Sequence, residues 1–165
     1  MSCYLVDPKH IAELVKWAFS QPSHGVPRTL ERMGAESVAV TLAQANIDSV
    51  SARYPSEADD ICEEFSGLSR DEYIEKCKSE LKKSASGAVE LFSISTVALP
   101  DQALQAWHIW KMASCLDYQS CEVQGWEQSP AFDIIYAIQH MAGESMCTSL
   151  SQGKHMWSYP QRAHA

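Results

Sequence analysis

No apolar run in this 165-residue chain approaches the roughly 20 residues needed to cross a bilayer. The opening Met1-Ser2-Cys3-Tyr4 also lacks the basic-then-apolar layout of a secretory signal. Together these absences predict a soluble, cytoplasmic protein. The six cysteines (Cys3, Cys62, Cys77, Cys115, Cys121 and Cys147) include no C-x-x-C pair, so in a reducing compartment they read as free thiols. Neither a disulfide nor a structural zinc site is expected. Phosphate-binding loops, H-E-x-x-H and G-x-S-x-G are absent too, so the common enzyme classes leave no mark and no cofactor is implied. With no internal repeat or low-complexity tract, one compact domain over residues 1–147 followed by a polar tail over 148–165 is the expected organisation.

Cationic residues are scarce where acidic ones crowd. Residues 57–75 hold Glu57, Asp59, Asp60, Glu63, Glu64, Asp71, Glu72 and Glu75 against Arg70 alone, eight carboxylates to one guanidinium, a local charge of −7 within a chain of −8. Such a patch repels phosphate backbones, which argues against direct nucleic-acid binding and for a basic protein partner. The plainer reading is a solvated surface, and spacing alone leaves both open.

Core material is plentiful, at 45% hydrophobic residues against 21% charged, so the chain is equipped to bury an ordinary core. Asp7 as N-cap and Pro8 at the first helical position announce a helix with Ile11, Leu14, Val15 and Ala18 on one face, ending near Ser20. Pro22, Gly25 and Pro27 make a connector. Apolar residues then return at helical spacing in Ala35, Val38, Leu42 and Ala45 up to about Asp48, with Asn46 at the edge of that face. Residues 49–66 read as a loop with one turn of helix around Ile61 and Phe65. Ser69 and Glu72 form a capping box for a helix through Lys83, acidic at its start and lysine-rich at its end. Phe92 to Val97 alternates weakly enough to allow either a short strand or an extended linker. Asp101 to about Asp117 is the most apolar helix and is expected at the centre, and Ser129-Pro130 opens a last helix with Ala131, Ile134, Ile135, Ile138, Met141 and Ala142 inward. The predicted fold is mainly α, a bundle of about five helices with room for a short accessory strand pair.

Two sites invite chemistry. His108 and Cys115 share a face of the apolar helix, but seven residues at about 1.5 Å each separate them by roughly 10 Å, too far for a thiolate and its base. The polar stretch Asp117-Tyr118-Gln119-Ser120-Cys121-Glu122 holds a potential nucleophile in Cys121, yet no glycine-rich oxyanion loop or histidine accompanies it. The alternative is that these side chains cap two helices and tie their connection to the core through Trp126.

Three segments carry a family resemblance: Lys9-His10-Ile11, then Asn46 with Ser49-Val50 and Arg53-Tyr54-Pro55, then Tyr118-Gln119-Ser120-Cys121-Glu122 with Trp126 and Ser129. Over residues 4–142 the chain resembles a family of small bacterial, plasmid and phage proteins with a Tyr-Gln-Ser-Cys-Glu signature ahead of a final helix. The resemblance implies a fold and a mobile-element setting rather than a reaction. The chain departs from it in a more acidic loop after Tyr54-Pro55 and in its tail. Two functions follow as expectations. In the first, Tyr54, Glu57, Asp59, Asp60, Glu63 and Glu64 dock on a basic surface of a host protein or nucleoprotein complex, as an anti-CRISPR-like inhibitor would. In the second, a small enzyme or ligand-binding protein has its pocket beside Asn46, Arg53, Tyr118, Gln119, Cys121, Glu122 and Trp126.

Overall fold

A computed structural model describes residues 5–21, 26–53, 62–63, 66–83, 101–120 and 128–151, with side chains omitted at 53, 101–105, 118–120 and 145–151. Six helices and no strand occur among the described residues: α1 (Pro8–Phe19), α2 (Arg28–Met33), α3 (Ala35–Arg53), α4 (Arg70–Lys82), α5 (Asp101–Ser120) and α6 (Pro130–Ser151). The fold is mainly α, as the periodicity implies. The stretch Phe92 to Val97, read as a short strand or an extended linker, lies outside the described residues.

Local chemistry sets the helix ends. The Asp7 carboxylate accepts the Lys9 N–H at 2.8 Å, satisfying an amide that the first turn leaves without a partner. At the other end the Trp17 carbonyl accepts from the Ser20 N–H, the Ser20 hydroxyl at 2.8 Å and the Gln21 amide at 2.9 Å, which closes α1 where the sequence places its end. In α4 the capping box is complete, with the Glu72 N–H donating to the Ser69 hydroxyl at 3.2 Å and the Ser69 N–H to the Glu72 carboxylate at 2.9 Å.

Elsewhere the structure departs from the sequence reading. The connector after Pro27 contains α2, a single short helix whose Leu30 is fully buried. Pro27 presets the backbone for helix entry, and one leucine at this length leaves no period to detect. Gly34 separates α2 from α3 with a φ of 82°; its N–H closes α2 on Leu30, and its carbonyl receives Val38 in the first turn of α3. Helix α3 continues past Asp48 to Arg53 because Val50 extends the buried row of Ala43 and Ile47. Helix α6 runs to Ser151, into the stretch read as a polar tail.

Centrality also falls elsewhere than expected. Helix α3, rather than α5, packs against all five other described helices, while α5 and α6 form the most extensive pair and α1 and α4 pair with each other. Val38, Ala39, Leu42, Ala43, Asn46, Ile47, Ser49 and Val50 bury about half the circumference of α3. Helix α5 contributes Ile109, Trp110, Met112, Ala113 and Leu116, and α6 contributes Ile134, Ile135, Ile138 and Ala142, to the same continuous core. No described helix is long and apolar enough to cross a membrane.

Candidate functional site: a buried polar clasp and two surfaces

Where α1, α3 and α4 meet, three residues far apart in sequence are joined by hydrogen bonds. The Val6 N–H donates to the Asn46 carboxamide oxygen at 2.8 Å, and the Tyr73 hydroxyl donates to the Val6 carbonyl with the same Asn46 oxygen 3.3 Å away. Asn46 and Tyr73 are fully buried and Val6 nearly so. The stretch before a helix exposes an N–H and a C=O that no ladder satisfies, and here side chains from two other helices take both.

The surroundings keep this region neutral. Burial pushes the Tyr73 hydroxyl well above its usual range, reinforced by the nearby Cys77, Cys62 and Asp7. Burial likewise pushes the Cys77 thiol up to about 12 and raises Cys62, the latter partly offset by the Ser66 hydroxyl. Both thiols are protonated at neutral pH and are therefore poor nucleophiles. A protonated, desolvated cluster of this kind holds backbone in place. It does not supply a base.

Beside the clasp a cleft of about 300 Å³ is lined by Leu5, Val6, Asp7, Pro8, Ser66, Leu68 and Lys76. Its Asp7 carboxylate is engaged as the α1 cap, and its Ser66 hydroxyl accepts the Leu68 N–H at 3.2 Å. Among the described residues no group of His, Cys, Asp or Glu is arranged to hold a metal ion.

The acidic stretch is partly visible. Glu63, Asp71, Glu72 and Glu75 are all exposed. Arg70, the single cation of the stretch, is turned away onto Asp48 of α3 at 2.7 Å. Hydrogen bonds from the Ser69 backbone and hydroxyl hold the Glu72 carboxyl below its usual range. Tyr54, Glu57, Asp59, Asp60 and Glu64 lie outside the described residues.

The second set of candidates is only partly joined. Asn46 is buried and hydrogen-bonded, but the partners described for its oxygen belong to the α1 and α4 side of the molecule. Arg53 closes α3, and Tyr118 and Gln119 fall in the last turn of α5, without described side chains; Cys121, Glu122 and Trp126 lie outside the described residues. His108 is half-buried and Cys115 buried on α5. Val6 and Tyr73 were not singled out by sequence reasoning. The available signal was Tyr73 with Cys77, two weakly polar residues four apart in a helix whose other residues are mostly charged.

A second surface lies on α6. Phe132 and Tyr136 stack with centroids 6.1 Å apart and rings inclined by 22°. Tyr136, 55% accessible, is the exposed large hydrophobic residue of the described chain. His140 and Glu144 continue the row as an exposed pair at 2.9 Å.

Compared with protein-family models, curated proteins and solved structures, the chain matches none.

Proposed function

We propose that this is a mobile-element accessory protein that acts by binding another protein, using the acidic surface around Glu57–Glu75 to occupy a basic face of a host nucleoprotein complex. The observation that carries the reading is the state of the described carboxylates. Glu63, Asp71, Glu72 and Glu75 all face solvent, while the only arginine among them is drawn to Asp48. Glu75 is paired with Lys78 at 3.5 Å, but a surface that keeps its remaining like charges together and turns its one arginine onto Asp48 costs self-repulsion and favours a cationic partner. The resemblance around Tyr118-Gln119-Ser120-Cys121-Glu122 supports the mobile-element setting, and inhibition of the anti-CRISPR kind is its extension by analogy.

The test is co-purification from a bacterial lysate, identification of the captured complex by mass spectrometry, and affinity measurement at low and high salt. The parent protein should bind with affinity that falls steeply as salt rises. A variant with Glu57, Asp59, Asp60, Glu63 and Glu64 changed to Lys should keep its helical spectrum and lose binding, chiefly through slower association. Unchanged affinity in that variant would reduce the surface to a solvated face.

A further inference from the structure

The cleft beside the clasp brings together two opposite charges that do not neutralise each other. Asp7 and Lys76 both line it, one just ahead of α1 and the other on α4, and both are exposed. Asp7 caps the Lys9 N–H through one carboxylate oxygen, and its other oxygen has no partner among the described residues. Lys76 forms no ion pair among the described residues, whereas Lys78 and Lys83 are paired with Glu75 and Glu80. The wall is otherwise mostly apolar, from Leu5, Val6, Pro8 and Leu68. We infer that this cleft takes a free α-amino acid with an apolar side chain, its ammonium on Asp7 and its carboxylate on Lys76.

Size and charge together choose that ligand. A volume of about 300 Å³ stands at the lower end of the roughly 300–1,000 Å³ that small-molecule sites occupy, so the cleft suits a compact metabolite. A zwitterion carries its two charges one carbon apart and can bridge two protein charges that do not reach each other. A simple anion would gain Lys76 and face the Asp7 carboxylate; a simple cation would meet the reverse. The start of α1 offers an anion nothing further, because Pro8 has no N–H and the N–H groups of Lys9, His10 and Ile11 all donate to Asp7. Ser66 is likewise occupied, donating to the Cys62 carbonyl and accepting the Leu68 N–H. Recognition therefore falls to the two charges and the apolar wall. The acidic surface of residues 57–75 plays no part in it.

Calorimetric titration of the full chain with leucine, leucinamide and isocaproate separates the two charges, since the second lacks the carboxylate and the third the ammonium. Leucine should bind one to one with a Kd of about 1 mM or tighter, as solvent-exposed charge pairs allow. Each of the other two, and glycine for want of a side chain, should bind at least about fivefold more weakly. Lys76→Gln should weaken leucine by about that factor and not weaken leucinamide. Asp7→Asn, whose amide oxygen can still cap α1, should weaken leucine similarly and not weaken isocaproate. Both positions are exposed, so both variants should keep the helical spectrum of the parent. Absence of saturable leucine binding below about 20 mM would overturn the inference. Equal affinity for the three ligands, or variants that bind leucine as the parent does, would overturn it as well.

Discussion

Tyr73 illustrates how one hydroxyl can matter more than its size suggests. Its O–H satisfies the Val6 carbonyl in a fully buried setting, so Tyr73→Phe leaves that acceptor with less than it had and should cost about 1–3 kcal/mol of stability. Chemical denaturation should show a lower midpoint at unchanged slope; a midpoint shift equivalent to less than about 0.5 kcal/mol would mean that water replaces the hydroxyl. The Cys77 thiol gives a second, pH-dependent outcome. Its folded pKa is raised from 9.0 to about 12, so the folded state keeps a proton that the unfolded chain releases. The associated stability is complete below about pH 9 and is lost as pH rises toward 12, at up to about 1.4 kcal/mol per pH unit. Thermal melts in that range should fall more steeply for the parent than for Cys77→Ala. Of this neighbourhood only Asn46 was legible beforehand, as a polar side chain at the edge of an apolar face. Its partners lie 40 and 27 residues away, a separation across which no local pattern carries information.

Helix ends were the most readable elements, because caps depend on residues within a few positions of each other. Asp7-Pro8 and Ser69 with Glu72 mark their helices in the sequence and do so in the structure. Ser69→Ala should therefore cost about 1 kcal/mol, measurable as a reduced denaturation midpoint, with an effect confined to the α4 end in amide exchange. Gly34 is the opposite case. Its φ of 82° and ψ of 156° lie where side-chain-bearing residues are strained, yet a Cβ placed there meets nothing within 4 Å. Gly34→Ala should cost about 1–3 kcal/mol from the backbone alone, and a neutral substitution would show that the junction between α2 and α3 can relax. Helix α2 escaped notice because its burial rests on Leu30 alone.

For the molecule as a whole, composition and periodicity were enough to reach a mainly α bundle but not its arrangement. Apolarity suggested α5 for the centre. Burial decided otherwise, since α3 packs against five neighbours with Val38, Ala39, Leu42, Ala43, Asn46, Ile47, Ser49 and Val50 all fully buried. Charge was legible as a quantity, and the diversion of Arg70 onto Asp48 was not, because that contact needs the fold. It yields a further expectation: Asp48→Asn should free Arg70 to face the acidic surface and weaken binding of a cationic partner by about two- to fivefold at low salt, with little change in helicity. An affinity that rises or stays constant would show that Arg70 takes no part in the balance of that surface.

The clasp on Val6 also bears on how the chain comes off the ribosome. Tyr73 is added 67 residues after Val6, which at about 5–20 residues per second is a delay of several seconds. Asn46, made 40 residues after Val6, can take the Val6 N–H partway through that interval, but the Val6 carbonyl has no mate until Tyr73 follows, and the apolar row of Ile11, Leu14 and Val15 has no α4 to lie against. The nascent segment is thus an amphipathic helix awaiting its seat, and its first seconds are when a chaperone, or a neighbouring nascent chain, has most to grip.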